Sequence, residues 1–273
     1  MMKLTAPAFF DSGIWFPETT GRDKRADLVW SQAAKRDAIN AAAATTDNNP
    51  FAKFPDWVAR SVAAWDGTFL DAGCGYGRVS IPLLKANPRL RCVGVDASPV
   101  MLEKFVQLAK EHAVGDRVEL YCGNLDSLPF AESQFEFVLS CAVLLHVPKN
   151  EAKTILAELR RVLANNGRLV LAGSFPNVFN PEGLVNLRHN RLQGKNGPVR
   201  VYTRSEVKRL FNDFTSVDVE AHQMIVLPRS IGSLRLPFGD LARAANRYCS
   251  QKFIQTFKHS NYFVNHHDVI ATK

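Results

Sequence analysis

Short β-rich runs alternate with helical segments between residues 67 and 175, and this alternation constrains the fold more than any other feature. Runs that predict strands lie at 68–72, 91–95, 117–122, 135–141 and 168–174. The intervals show helical spacing of apolar residues, as after Ser98-Pro99, a typical helix start. Strands and helices that alternate in this way form a parallel sheet covered by helices. The sequence therefore predicts an α/β fold here.

The segments outside this region are predicted to be additions to the same sheet. Residues 1–66 contain all four tryptophans and no clear strand, and they are predicted to form a helical segment that could act as a lid. Residues 67–273 are predicted to be one domain. It carries insertions at 176–202, rich in Asn, Gly, Pro and Arg, and at 226–261, rich in Lys and Arg.

Composition excludes several broad classes of protein. The chain is 46% apolar and 22% charged, which is ordinary for a globular domain and excludes disordered and fibrous chains. Its longest apolar stretch, 137–147, contains Ser140 and His146 and is shorter than the roughly 20 residues of a transmembrane helix. The N-terminus lacks the basic, apolar and small-residue order of a secretory signal, so a cytoplasmic location is expected.

Cysteine and histidine spacing gives no sign of a disulfide framework or a metal site. The five cysteines are odd in number, widely spaced and without a CxxC pair, so most are expected to be small buried apolar residues. The histidines are scattered without metal-ligand spacing, and no metal is expected.

Positive charge is concentrated in the C-terminal third of the chain. The net charge is +8, and residues 176–273 hold 14 Lys+Arg against 7 Asp+Glu. This bias suggests an anionic partner, such as a phosphorylated molecule, a glycan, an anionic lipid or RNA. Surface basicity that serves only solubility is the alternative.

A glycine-rich turn follows the first predicted strand of this region. The segment FLDAGCGYGR places Asp71, Gly73, Gly75 and Gly77 between a strand and a helix. Glycines permit a sharp turn and let a ligand approach the backbone. The next strand ends in Asp96, where a carboxylate can accept both hydroxyls of a ribose. Together they predict a nucleoside-containing ligand; the alternative is close strand–helix packing with Asp96 as a helix cap.

The motif departs from the dinucleotide-binding pattern G-x-G-x-x-G, because Arg78 stands where the third glycine would be. It resembles instead the first motif of the class I S-adenosylmethionine-dependent methyltransferases, an acidic residue followed by G-x-G-x-G. The resemblance continues, in the family's order, through VDASPVML (95–102), YCGNLDSLPF (121–130), FEFVLSCAVLLHV (135–147) and ELRRVLANNGRLVL (158–171).

This resemblance implies a Rossmann-like fold: a mostly parallel, seven-stranded sheet with helices on both faces and an antiparallel last strand. It also implies S-adenosyl-L-methionine as cofactor and S-adenosyl-L-homocysteine as product. At the matching positions it implies a set of cofactor-binding residues: Asp71, Gly73, Cys74, Gly75 and Gly77 at the methionine part, Asp96 at the ribose, Ala97, Met101, Asn124 and Leu125 at the adenine, and Ser140 and Cys141 at the methionine end. Relatives often have Asp at the position of Asn124, and an amide can also accept from the adenine amino group.

The expected reaction is an in-line transfer of the methyl group to an oxygen or nitrogen atom of a small-molecule, lipid-like or glycan-like acceptor. His146 follows the fourth of these strands and is a candidate general base, with a structural role as the alternative. Composition alone suggests a set of acceptor-pocket residues: Trp15, Phe16, Arg188, Arg191, Arg200 and Tyr202.

Other functions remain open at this point. The segment SCAV replaces the Asn/Asp-Pro-Pro-aromatic turn typical of enzymes that methylate exocyclic amino groups of bases, which disfavours adenine N6 as acceptor. An RNA methyltransferase that uses the basic C-terminal surface, an NAD(P)-dependent oxidoreductase and a noncatalytic protein that keeps the cofactor pocket are the alternatives. The sequence does not predict the oligomeric state.

Overall fold

The structure, a computed structural model, describes residues 3–18, 56–181, 184, 199–227, 230–231, 234–235 and 237–273. Eleven strands lie in these ranges: β1 (Ala8–Asp11), β2 (Ile14–Pro17), β3 (Gly67–Ala72), β4 (Leu90–Asp96), β5 (Val118–Cys122), β6 (Phe135–Cys141), β7 (Leu163–Pro176), β8 (Ser216–Glu220), β9 (Ser230–Ile231), β10 (Leu234–Arg235) and β11 (His266–Thr272). The α-helices are α1 (Asp56–Val62), α2 (Ser80–Ala86), α3 (Pro99–Glu111), α4 (Lys149–Val162), α5 (Arg204–Leu210) and α6 (Gly239–Phe257).

Nine of these strands follow the order β1-β2-β5-β4-β3-β6-β7-β11-β8. The pairs β2–β5, β5–β4, β4–β3 and β3–β6 are parallel, and the last strand, β11, pairs antiparallel with β8. The predicted Rossmann-like architecture with an antiparallel last strand is confirmed. The predicted number of strands is wrong, because β1 and β2 extend the sheet beyond β5 and raise it from seven strands to nine.

The N-terminal residues 8–17 form a β-hairpin, so the prediction that residues 1–66 are helical is wrong for this part. Ser12 and Gly13 make the turn with φ values of 50° and 91°, and the aromatic residues on either side favour extended backbone. The rings of Phe9 and Phe16 stack across the hairpin, 5.5 Å apart. Only α1 is helical among the described residues before β3. Residues 19–55 lie outside the described residues, and the lid stays a prediction.

The chain divides into two compact units. The first comprises residues 1–141, 154–170 and 273, and it contains the parallel strands β2 to β6. Its core consists of apolar side chains that are fully buried between the strands and the helices, among them Trp65, Phe69, Leu84, Phe105 and Phe130. The alternation of strand and helix between 67 and 162 thus encodes one continuous core.

The second unit comprises residues 142–153 and 171–272. Its core is centred on Phe175, whose ring meets those of Tyr202 and Phe211 edge to face at 5.1 and 5.9 Å. Thr203 begins α5 with a capping box, in which its hydroxyl accepts from the Glu206 amide and the Glu206 carboxylate accepts from the Thr203 amide. Strands β8 and β11 also lie in this unit.

The two predicted insertions are described only in part. Residues 182–183 and 185–198 of the first lie outside the described residues, and the second contains β9, β10 and α6. Their roles as insertions in one domain stay predictions. Among the described residues, no helix combines the length and the apolar composition that crossing a bilayer requires. The cytoplasmic location likewise stays a prediction.

Candidate functional site

The glycine-rich turn after β3 is held against the end of β4 by backbone hydrogen bonds. The amides of Gly73 and Cys74 both donate to the Val95 carbonyl, at 2.8 and 3.0 Å. Gly73, Gly75 and Gly77 have φ values of 81°, 53° and 81°, a region that disfavours other residues. The G-x-G-x-G spacing therefore encodes a sharp turn at the carboxyl ends of two parallel strands.

The last two glycines of this turn have different surroundings. A Cβ on Gly77 would lie 2.4 Å from the ring of Phe105 in α3, so glycine is required there for close packing. A Cβ on Gly75 would meet nothing within 4 Å. There is therefore free space beside Gly75, and the approach of a ligand to its backbone stays a prediction.

Asp96 at the end of β4 links the turn to the next helix. Its carboxylate accepts from the Gly75 amide at 2.9 Å and from the Ser98 amide at 2.9 Å. The carboxylate is partly exposed, and desolvation raises its pKa above the usual range, opposed by the hydrogen bonds from Ser98 and Gly75. Since each carboxylate oxygen can accept more than one bond, acceptor capacity is left for the hydroxyls of a ribose.

Asp71 is fully buried behind the turn. It accepts a 2.5 Å hydrogen bond from the Ser80 hydroxyl at the start of α2. Burial and the nearby Asp96 carboxylate raise its pKa to about 7, against the Ser80 hydrogen bond, which lowers it. Asp71 is therefore bonded to the start of α2 and closed to solvent, and its role in the turn and at the methionine part of the cofactor stays a prediction.

The cysteines near the turn are buried, as predicted. Cys74 and Cys92 lie in the core of the first unit, and the Cys92 thiol is 3.3 Å from the Ser80 hydroxyl. Burial, reinforced by the Asp71 carboxylate, raises the pKa of both thiols well above the usual value. Cys122 is also buried, Cys141 and Cys249 are half-buried, and none of the five cysteines forms a disulfide.

The residues assigned to the adenine side follow the ends of β4 and β5. Gly123 after β5 donates its amide to the Asp96 carbonyl at 3.0 Å, which brings Asn124 and Leu125 to the side of β4 where the turn lies. Asn124 is half-buried, Leu125 is buried, and Met101 is buried in the first turns of α3. Ala97 directly follows Asp96, so these four residues belong to the same edge of the sheet.

The end of β6 completes this edge. The Ser140 hydroxyl is fully buried and donates to the Ala72 carbonyl at 2.7 Å, and is therefore bonded to the end of β3. Cys141 is half-buried, and its sulfur lies 3.7 Å from the Arg78 guanidinium. All twelve predicted cofactor residues thus lie in the first unit, at or just beyond the carboxyl ends of β3, β4, β5 and β6.

His146 and two of the predicted pocket residues lie in the second unit. His146 ends a single 3₁₀ turn, Leu144–His146, and is half-buried. The Arg200 amide donates to the Leu145 carbonyl at 2.7 Å, so Arg200 lies beside this turn. Tyr202 is fully buried, and the Lys149 ammonium lies over its ring at 4.7 Å.

The other predicted pocket residues are placed differently. Trp15 and Phe16 lie in β2 of the first unit, where Trp15 pairs with Tyr121 of β5. Arg188 and Arg191 lie outside the described residues. The six pocket residues are therefore not seen as one group, and the pocket stays a prediction.

The hydroxyl of Tyr202 is the polar group of the second unit that most clearly lacks a partner. The atom is buried and makes no hydrogen bond to the described residues. Burial raises its pKa to about 12, while the positive charge of Arg200 lowers it and the negative charge of Glu206 raises it. A buried hydroxyl without a partner is costly, and a ligand atom that bonded to it would remove that cost.

Asp218, Glu220 and His259 form a group of metal-ligand type in the second unit, with side-chain ligand atoms within 4.8 Å of one another. The Lys258 ammonium is 2.7 Å from the Glu220 carboxylate, and the Arg204 guanidinium is 3.4 Å from the His259 ring. Each cation thus contacts a potential metal-ligand side chain, so the group fits an ion-pair network better than a metal site.

Sequence reasoning missed three polar residues that support the site. Ser80 bonds Asp71, Arg78 contacts Cys141, and Lys149 bonds Glu206 at 2.9 Å beside Tyr202. Arg78 was noted only as a departure from glycine. No local signal marks Ser80 or Lys149, because their partners lie 9 and 57 residues away in the chain.

Comparison with known proteins agrees with this geometry. Residues 69–167 match a family model described as a methyltransferase domain. The chain is 32% identical over 123 residues to the ubiquinone/menaquinone biosynthesis C-methyltransferase UbiE of Desulfotalea psychrophila, covering 45% of this chain and 48% of that relative. It is 24% identical over 200 residues to the sarcosine/dimethylglycine N-methyltransferase of Aphanothece halophytica, covering 72% and 69%.

Solved structures show the same fold. The YcgJ protein of Bacillus subtilis superposes with a TM-score of 0.54 at 19% identity, over 80% of this chain and 97% of that one. The chain spans about half the length of the UbiE relative. Residues 69–167 thus match a methyltransferase domain, and the motif series and the strand order are similar to those of the class I S-adenosylmethionine-dependent methyltransferases.

Proposed function

We propose that this protein transfers the methyl group of S-adenosylmethionine to an oxygen or nitrogen atom of an anionic small-molecule acceptor. The observation that carries the proposal is the Asp96 carboxylate, which accepts from the amide of Gly75, a glycine where an added Cβ would meet nothing within 4 Å. A carboxylate held this way is suited to ribose hydroxyls, and the space beside Gly75 would let the methionine part approach the turn.

The proposed roles within the first unit follow the sheet edge. Asp96 would bind the ribose, and Met101, Asn124 and Leu125 would lie at the adenine. Gly73 and Gly75, with Ser140 and Cys141, would lie at the methionine end. When bound, the cofactor supplies a methyl group on a positively charged sulfur. The protein then contributes alignment of the acceptor atom and exclusion of water, and no covalent enzyme intermediate is needed.

The acceptor is proposed to be anionic because the second unit places cations beside the buried Tyr202 hydroxyl. Lys149 lies over the Tyr202 ring, and Arg200 is close enough to influence the pKa of its hydroxyl. A phosphate or carboxylate could accept from the Tyr202 hydroxyl and pair with Arg200. The excess of Lys and Arg in residues 176–273 also favours an anionic acceptor.

His146 is proposed as the general base for a hydroxyl acceptor. Imidazole titrates near neutrality, and a positioned base contributes about 10²- to 10⁴-fold to such a transfer. His146→Gln should lower kcat without changing cofactor affinity. An unchanged kcat and pH profile would leave His146 with a structural role only.

Calorimetric titration with S-adenosylmethionine and S-adenosylhomocysteine tests the cofactor part. The wild type should bind both, and Asp96→Ala should weaken binding more than tenfold, or about 1.4 kcal/mol. Asp116→Ala, at an exposed aspartate in the 3₁₀ turn before β5, is the matched control and should bind like the wild type. Tight binding of NAD(H) without either of these ligands would reverse the proposal in favour of an oxidoreductase.

The acceptor part is tested with radiolabelled methyl donor and a metabolite extract fractionated by anion exchange. Labelled product should come from the retained, anionic fractions, and Arg200→Gln should raise the acceptor KM and reduce its dependence on salt. Arg209→Gln, an exposed arginine in α5, is the control. A product methylated at a carbon atom would refute the proposed acceptor atom. Labelled RNA, together with RNA binding that weakens steeply with salt, would favour an RNA methyltransferase.

A further inference from the structure

Helix α6 presents three large apolar side chains outward. The side chains that it fully buries are Ala242 and Asn246, and its other large apolar side chains are half-buried. Leu241, Tyr248 and Phe253 are 65%, 57% and 46% exposed. A helix on a protein surface normally turns its large apolar residues toward the core, so these three positions are inverted. Exposed apolar groups arranged along one element mark a surface that binds something.

The inverted orientation is fixed by hydrogen bonds on the inner face of α6. The Asn246 side chain accepts from the amides of Val226 and Leu227 at 2.9 and 3.0 Å and donates to the Leu227 carbonyl at 2.9 Å. One turn later, the Ser250 hydroxyl accepts from the Met224 amide at 2.8 Å. These polar contacts hold the helix by its inner face, so Leu241 and Tyr248 stay outside.

Basic residues accompany the exposed apolar ones. Leu241 and Tyr248 are seven residues apart and lie on one side of the helix, and Lys252 follows Tyr248 by one turn. Arg243, Arg247 and Lys252 are all exposed. The single acidic residue of the helix, Asp240, forms an ion pair with Arg243. The side of α6 that carries Leu241 and Tyr248 therefore also carries Lys252, with Arg247 at its flank, and is both apolar and cationic.

This combination favours an anionic lipid surface over a second copy of the chain. A symmetric contact between two α6 helices would bring like charges together, at a cost, whereas anionic headgroups neutralise them. At a bilayer surface, the Leu side chain reaches the acyl region, the Tyr ring suits the headgroup level, and Lys and Arg extend toward phosphate. We propose that the outer face of α6 docks this protein on anionic membranes.

Co-sedimentation of the full chain with vesicles tests the proposal. One vesicle is phosphatidylcholine alone and the other contains about 30% phosphatidylglycerol, enough to create a negative surface potential. The wild type should bind the anionic vesicle at least tenfold more tightly than the neutral one, and high salt should weaken this binding. Leu241→Ser/Tyr248→Ser should weaken it at least tenfold at all salt concentrations, because it removes the inserted apolar groups.

A charge variant and its matched control separate the specific face from general basicity. Arg247→Gln/Lys252→Gln should weaken anionic-vesicle binding at low salt. Lys85→Gln/Lys110→Gln removes two exposed charges from the first unit and should bind like the wild type. Thermal unfolding of each variant confirms that it is folded. Wild-type binding that is absent, or equal in all variants, would overturn the proposal, as would a dimer in sedimentation velocity that Leu241→Ser/Tyr248→Ser dissociates.

Discussion

The two units of this protein carry their information in different ways. In the first, strand, turn and helix follow one another along the sequence, and the polar residues of the four strands β3 to β6 lie at one edge of the sheet. In the second, Asn177 bonds the carbonyls of Asn261 and Val264, more than 80 residues away. The first unit can therefore be recognised from the sequence, because its elements alternate locally. The second cannot, because its polar contacts join residues far apart in the chain.

The largest expected effect is a loss of stability that tests how closely the glycine-rich turn packs. Gly77→Ala places a Cβ against the Phe105 ring and forces a φ of +81°, so it should lower the free energy of unfolding by about 3 to 5 kcal/mol. Gly75→Ala has open space and should cost only about 1 kcal/mol for its φ, yet weaken S-adenosylhomocysteine binding at least tenfold. Denaturant unfolding and calorimetry measure the two effects.

Gly115→Ala is the control for these variants, because its Cβ would make only ordinary contacts from 3.6 Å. It should change stability by less than about 0.5 kcal/mol. Equal losses of stability at positions 75, 77 and 115 would show that the turn is not closely packed.

The next effect tests the buried polar group of the second unit. Asn177 is fully buried and its side chain also accepts from the Phe179 amide and contacts the His267 ring, each at 3.2 Å. Asn177→Ala should lower the free energy of unfolding by about 3 kcal/mol, since it leaves several buried groups without partners. Cofactor affinity of the folded variant should stay within twofold, as measured by calorimetry, because the proposed cofactor residues belong to the first unit. A tenfold loss would link the two units energetically.

A smaller effect depends on pH. Asp268 is buried in β11, where it accepts from the Gly173 amide at 2.7 Å, and burial raises its pKa to about 7. A raised carboxyl pKa means that the folded state binds more protons than the unfolded state between about pH 4 and 7, so stability falls as pH rises through this window. Asp268→Asn should therefore stabilise the protein by about 1 to 3 kcal/mol at pH 8 and much less at pH 4.

His267, next to Asp268 in the sequence, makes stability change with pH in the opposite direction. Burial and the charge of Arg204 lower its pKa to about 4, so stability rises between pH 4 and the usual histidine pKa. Thermal unfolding from pH 4 to 8 in the wild type and Asp268→Asn separates the two contributions. If the stability gained by Asp268→Asn did not grow with pH, the raised pKa of Asp268 would be contradicted.

The smallest effect concerns the cap of α5. Thr203→Ala removes one side of the capping box and should cost about 1 kcal/mol. Ser98→Ala at α3 is the counterpart in the first unit and should cost a similar amount, since its hydroxyl accepts from the Met101 amide. Chemical denaturation would show whether a cap contributes equally in the two units.

The sequence was sufficient for the parallel sheet and the edge that carries Asp96, because both depend on local spacing. The hairpin at 8–17 was not predicted, since each strand has only four residues, and β2 pairs with the distant β5. The surroundings of Tyr202 depend on Lys149 and Arg200, and no local pattern links these residues.

The buried thiols near the turn can report how often the turn opens. A thiol reacts with alkylating reagents only as the thiolate, and Cys74 and Cys92 are both buried and hard to ionise. Each alkylation event at Cys74 would therefore record one opening of the glycine turn. The rate of alkylation therefore measures how often the proposed cofactor site opens. A bound nucleoside would slow this rate without any change in the average structure.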